Sequence, residues 1–165
     1  MRLQELGYKI RQTRLEQGLT QAQLAAGAGL SRTTLNLLEN GFFPDLGVRK
    51  VQAILDRLGL TLLVQRAERG NGPDFIRIAC TTANISYWDA LTEDELIHAL
   101  LSGKVPAGKR PHIRTLLDEA TPALLKGLVK ETSRWTKPGR VEKNLARMAD
   151  EIRSSRKIGE WLKTG

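Results

Sequence analysis

The sequence predicts a mainly α-helical protein in two parts. The first is a small helical domain ending in a short β-strand, and the second is an all-α domain. Three observations point there. Apolar residues recur at three- and four-residue spacing along most of the chain, from Leu3, Leu6 and Ile10 to Val141, Leu145, Met148 and Ile152. Start and stop signals punctuate that pattern at Gly18, Thr20, Ser31, Gly41, Gly59, Thr92, Gly103 and Thr121-Pro122. The helical period breaks once, at 60–66, and the polar glycine- and proline-containing stretch ERGNGPD follows. The expected layout is a domain over 1–67, a linker over 68–74 and a second domain over 75–165.

The bulk chemistry narrows the classes. The 165 residues carry a net charge of +8 with a pI near 10.0, which suits a polyanionic partner. Residues 1–66 hold 9 Lys/Arg against 5 Asp/Glu, and residues 67–165 hold 17 against 13. From Ser133 onward the count is 9 against 4, so the positive excess of the second part lies in its tail, which also carries Trp135 and Trp161. That basic amphipathic tail suits DNA flanks or an acidic protein face. A single cysteine, Cys80, excludes an internal disulfide framework and fits a reducing compartment. No apolar run reaches the roughly 18 residues of a membrane span, and MRLQELGYKI lacks the apolar core of a signal peptide. The expected location is cytoplasmic, on the nucleoid when bound to DNA.

Residues 2–17 read as a first helix. Thr20 caps a second, with Gln23 completing a capping box, and Leu24 and Ala25 face inward. Ala25 is small enough to let the next helix cross closely. Gly29 supplies the positive φ of a tight turn. Ser31 caps a third helix whose Leu35 and Leu38 point to the core, and Asn40-Gly41 ends it. Two short helices joined this way form a helix-turn-helix, a device for placing one helix in the DNA major groove. The outward face of the third helix is then Arg32, Thr33, Asn36 and Leu37. Arginine pairs with guanine, asparagine with adenine, and the leucine and threonine methyls meet a thymine methyl. Gln21, opening the second helix, is placed for a phosphate contact. Phe42 and Phe43 are expected to cover the open end of the bundle. Asp45 is expected to cap a fourth helix with the stripe Val48, Val51, Ile54, Leu55 and Leu58.

These motifs carry a family resemblance. Residues 5–66, with LTQAQLA, a glycine-containing turn, SRTTLNLLENG, a proline and a fourth helix, resemble the Xre/Cro-type helix-turn-helix domains of phage repressors and bacterial regulators. The resemblance implies a lambda-repressor-like, five-helix-type fold. It implies DNA contacts at Gln21, Ser31, Arg32, Thr33, Asn36 and Asn40, and an internal ion pair between Arg14 and Glu39. The sequence departs from the family pattern at Gly27, inside the second helix, and at Leu37, where a polar residue is usual.

Leu60, Thr61, Leu62, Leu63 and Val64, with Gln65-Arg66, read as a strand. A lone strand needs a partner for its backbone groups, so pairing with the same strand of a second copy is expected. LGLTLLVQRA resembles the dimerising strand of HipB-like antitoxins. The resemblance implies a homodimer on double-stranded operator DNA and a toxin partner, either a HipA-like kinase or, from the general look of the second part, a nucleotidyltransferase-type protein. In that second part, helices are expected from Asp74, Thr92, His112 and Thr121-Pro122, with VPAGKRP as a loop. A last helix follows on Val141, Leu145, Met148, Ala149 and Ile152, with a final turn at Ile158, Trp161 and Leu162.

The catalytic inventory is thin. His98, His112 and Cys80 form no zinc-ligand spacing, and no phosphate-cradling or nucleophile-elbow motif occurs. No enzyme activity, metal or cofactor is expected. The sequence thus predicts a dimeric repressor acting as an antitoxin. The alternatives are a stand-alone repressor with a ligand-sensing second domain, or an adaptor that no longer binds DNA.

Overall fold

The computed structural model describes residues 3–42, 45–64 and 72–155. The chain divides into two compact units, Met1–Arg69 and Gly70–Gly165. Among the described residues, no helix is long and apolar enough to cross a membrane.

The first unit contains α1 (Leu3–Glu16), α2 (Gln21–Gly27), α3 (Arg32–Glu39) and α4 (Val48–Leu58). α1 packs on α3 and α4, and α2 does the same from the other side. Their apolar positions close one core around Ile10, Leu24, Leu35, Leu38 and Ile54, all fully buried. α1 and α3 approach closely at Gly7, where a Cβ would lie 2.1 Å from the Leu38 carbonyl oxygen. The backbones of α1 and α3 therefore touch at a point where no larger residue fits. Gly27 is the last residue of α2 rather than an interior one, so its helix penalty is small, and the Arg57 side chain lies against it.

Several expectations are corrected here. α4 is capped by Gly47, without a side-chain hydrogen bond, and Asp45 is exposed two residues upstream. Val48 is exposed and takes no part in the α4 stripe, because the buried face begins one turn later. Phe42 is exposed rather than covering the bundle, Leu3 is half exposed, and Phe43 lies outside the described residues. The described part of the unit holds four helices, not the five of the expected fold type. No strand occurs among the described residues. Gly59, at φ +68°, closes α4, and the Leu60 N–H donates to the Leu55 carbonyl at 2.8 Å. Leu60 packs on the core as the end of that cap. What looks like the first residue of a strand is the last residue of a helix stop. Thr61, Leu62, Leu63 and Val64 then run exposed and unpaired, while Gln65 and Arg66 fall outside the described residues.

The second unit contains α5 (Phe75–Asn84), α6 (Glu93–Ser102), α7 (Arg110–Glu119), α8 (Pro122–Thr132), a 3-10 turn at Ser133–Trp135 and α9 (Arg140–Ile152). Its helix starts are locally encoded. Asp74, Thr92 and Thr121 each accept a backbone N–H three residues on, and Thr92 with Glu95 forms a full capping box. α7 begins at Arg110, so the end of the expected VPAGKRP loop is helical. Its helix ends are served from elsewhere in the unit. The Asn144 amide of α9 donates to the Leu100 and Leu101 carbonyls, and Arg147 donates to those of Ser102 and Gly103. Arg110 and Arg114 of α7 reach the carbonyls of Glu151 and Ile152 at the end of α9. Trp135 is buried under the α8–α9 connection and is not part of a free tail. Ile158, Trp161 and Leu162 lie outside the described residues.

His98 is half-buried, and burial, with help from Lys104, lowers its pKa below the usual histidine value. His112 is buried with its ring tilted on Tyr87, the centroids 4.2 Å apart.

Gly7→Ala should destabilise the first unit by about 1–3 kcal/mol, because a carbonyl on a packed helix cannot withdraw. At Gly127 a Cβ would meet the half-buried Phe75 side chain rather than a backbone carbonyl, so Gly127→Ala should cost less. Urea unfolding of both variants checks the order; equal losses would show that the α1–α3 contact yields.

Candidate nucleic-acid interface

The α2–turn–α3 unit is built by local signals. Gln23 N–H donates to Thr20 Oγ1 at 3.2 Å and Thr20 N–H returns to Gln23 Oε1 at 2.8 Å, which fixes the start of α2. Gly29, at φ +65°, reverses the chain, and Leu30 N–H closes the turn on the Ala25 carbonyl at 2.8 Å. Thr34 N–H donates to Ser31 Oγ at 3.0 Å, which fixes the start of α3. Leu35 and Leu38 then face the core, while Arg32, Thr33 and Asn36 face solvent and Leu37 is half-buried.

Beneath this face lies a buried ion pair. Arg14 Nε and Nη2 donate to the two Glu39 carboxylate oxygens at 2.6 and 2.9 Å, with side-chain exposures of 8% and 1%. Arg14 Nη1 also donates to the Leu19 carbonyl at 2.7 Å. The hydrogen bonding to Glu39 raises the Arg14 pKa against the opposing effect of burial, so the guanidinium stays charged. The two-point geometry satisfies both charges, which a buried pair needs if it is not to cost more than it returns.

The same carboxylate extends to the surface. Gln21 Nε2 donates to Glu39 Oε2 at 2.9 Å, Asn36 Nδ2 donates to Gln21 Oε1 at 3.4 Å, and Asn40 Nδ2 donates to the Asn36 carbonyl at 2.7 Å and to its side-chain oxygen at 3.2 Å. Of the residues singled out from the sequence, Arg14, Glu39, Gln21, Asn36 and Asn40 thus form one continuous polar chain from core to solvent. Arg32 and Thr33 stand beside it without a place in it. Ser31 differs from the rest: its hydroxyl accepts the α3 cap and pairs with the Thr34 hydroxyl at 2.8 Å, so it serves the helix start. Leu60, Thr61, Leu62, Leu63 and Val64 lie past the end of α4, away from this chain of bonds. Thr34 and the Gln21–Glu39 link were not foreseen. Thr34 had a signal, its place three residues after a capping serine. The link joins residues 18 apart in sequence, which no local spacing encodes.

A solvated α3 backed by α2 and carrying arginine, threonine and asparagine can enter a major groove and meet base edges. Residues 10–65 match a family model described as helix-turn-helix. The match covers about a third of the chain and marks the first unit as an Xre-type helix-turn-helix domain, the domain of a sequence-specific DNA-binding regulator. No curated protein and no solved structure matches the chain.

Removing one member of the buried pair strands the other. Glu39→Ala should cost about 3–5 kcal/mol of stability in the first unit. It should also release Gln21, so that DNA affinity falls even in buffers where the unit remains folded. Denaturant unfolding paired with DNA binding checks both; a loss below about 1 kcal/mol would mean water reaches the Arg14 guanidinium.

Proposed function

We propose that the protein is a repressor that binds its own operator as a homodimer and acts as the antitoxin of a toxin–antitoxin pair. The observation that carries the DNA-reading half is the solvated face of α3, with Arg32, Thr33 and Asn36 on an element whose ends and base are fixed. Arg32 reads a guanine, Asn36 an adenine, and Gln21 meets a phosphate at the α2 N-terminus. On its operator the protein sits on the nucleoid. Binding needs no cofactor and no catalysis.

Dimerisation is assigned to the exposed residues Thr61, Leu62, Leu63 and Val64. Val64 is 96% exposed and Leu63 is 81% exposed. Two copies pairing these segments would cover apolar side chains and satisfy open backbone groups. A twofold dimer also matches operator half-sites one DNA turn apart.

The toxin is assigned to the second unit. Its 85–91 loop is held at both ends and in the middle. Asn84 donates to the Leu91 carbonyl and accepts the Leu91 N–H, and the Tyr87 hydroxyl meets Thr115 Oγ1 at 3.0 Å. Lys109 donates to the Asp89 and Ala90 carbonyls and pairs with the Asp89 carboxylate at 2.6 Å, which lowers the Asp89 pKa. This braced loop presents Trp88, fully exposed, and Ile85 to solvent. Tryptophan is enriched at the centre of protein interfaces, and here it stands on a loop whose backbone is already held in place.

Arg32→Ala should relax preference at one base pair by about 1–3 kcal/mol, whereas Gln21→Ala should weaken all sequences alike. Gel shifts on the protein's own upstream region and on single-base variants of it separate the two. A uniform loss in both variants would reverse the roles given to these residues. Leu63→Asp with Val64→Asp should yield monomers in sedimentation, and dimers that persist would locate the interface elsewhere. Trp88→Ala should abolish co-purification with the neighbouring gene product while leaving operator binding intact, and capture that survives it would free the loop of that role.

A further inference from the structure

The positive charge of the second unit is concentrated at one place. Between Lys126 and Arg147 there are seven Lys/Arg and two carboxylates, a net of +5. The rest of the described unit, 72–125 and 148–155, holds six Lys/Arg and nine Asp/Glu, a net of −3. All seven cations are exposed. Lys130, Arg134, Lys137, Arg140 and Lys143 flank a single turn, the one joining α8 to α9, and none of these five forms an ion pair among the described residues.

Their order along α9 runs against the helix. The backbone dipole favours carboxylates at the N-terminal end and cations at the C-terminal end. α6 obeys this, with Glu93, Asp94 and Glu95 in its first turn. α9 carries Arg140 and Lys143 at its start and Asp150 and Glu151 at its end. Its one early carboxylate, Glu142, is half-buried, and its N-cap, Gly139, offers no side chain. Helix stability therefore does not account for these cations. Nor does packing: Val141, Leu145, Met148 and Ile152 take the inward side, and the cations take the outward one. Buried Trp135 anchors the turn itself, so the charges project from a packed base.

Two polyanions suit such a patch, an acidic protein and a nucleic-acid backbone. A protein interface needs an apolar centre inside its charged rim. The large exposed apolar side chains described in the second unit are Ile78, Ile85 and Trp88, and none belongs to α8, the 3-10 turn or α9. A phosphodiester backbone needs only spaced cations, with arginine for two-point contacts and lysine as point charges. We infer that the α8–α9 turn is a second, sequence-independent DNA-docking face that grips phosphates while the helix-turn-helix reads bases. This rests on the DNA-binding reading above.

The test uses the full chain with Arg134→Gln, Lys137→Gln, Arg140→Gln and Lys143→Gln combined, titrated with salt against the upstream duplex and a random-sequence duplex. Each lost phosphate contact removes about 0.9 from the slope of log affinity against log salt. The slope should therefore shrink by about two to four on both duplexes. Affinity at low salt should fall at least tenfold on each, and the preference for the upstream duplex should stay unchanged. A companion variant, Lys137→Arg with Lys143→Arg, should bind as the parent does, which separates charge from any change of fold. Unchanged slopes and affinities in the quadruple variant would overturn the inference. So would loss of binding to a poly-glutamate probe with DNA binding intact, which would make this an acidic-protein face. If the parent shows no sequence preference yet the quadruple variant still loses its slope, the docking face stands and the base-reading assignment fails.

Discussion

A single buried carboxylate organises the DNA-facing unit. Glu39 sits at the end of α3 and meets Arg14 of α1 with both oxygens, then Gln21 of α2 with one of them. Three helices are thus referred to one group. Apolar packing around Ile10, Leu24, Leu35, Leu38 and Ile54 supplies most of the stabilisation, because it is proportional to area and indifferent to direction. The carboxylate supplies the direction that packing lacks. Together with the backbone contact at Gly7, it fixes where α3 lies along α1 and how far α2 stands from both.

The second unit solves its helix ends differently. The N-termini of α5, α6 and α8 are capped by their own neighbouring residues, but the C-termini of α6 and α9 also take side chains from other helices. Asn144 and Arg147 close α6, and Arg110 and Arg114 close α9. Each of these contacts joins residues far apart in sequence, so they add tertiary support to ends already closed locally by Gly103 and Arg153. Asp118 extends the arrangement past α9. Burial opposes its ionisation, but the Ser154 and Ser155 donors and the Arg114 charge outweigh that and lower its pKa.

The sequence was legible where structure is local. Thr20, Ser31, Asp74, Thr92 and Thr121 cap helices because a hydroxyl or carboxylate three residues upstream is all that a start requires. Legibility failed where distant residues decide. Leu60 has the look of a strand start, yet its N–H is already held by Leu55 and its side chain by the core. Asp45 has the chemistry of a cap, but α4 begins too late for it to reach. Gly7 gives no sign in sequence of the carbonyl it faces on α3. Trp135, read as part of a tail, is held inside by helices on both sides of it. At the candidate interface, helical spacing marked the outward residues of α3, while the Gln21–Asn36 and Gln21–Glu39 bonds arise only from the crossing of α2 and α3.

Those bonds have an evolutionary consequence. Asn36 is tied to Gln21 on one side and Asn40 on the other, so exchanging it removes Gln21's 3.4 Å donor and one of Asn40's two acceptors, while Asn40 keeps the backbone carbonyl of position 36. Arg32 and Thr33 carry no such ties. Change on the DNA-facing surface is therefore freest at 32 and 33, whereas an exchange at 21, 36 or 40 also alters the bonds of a neighbouring side chain. Related domains would then vary more freely at the first pair than at the second set, so base preference could shift without disturbing the bonds that join α2 to α3.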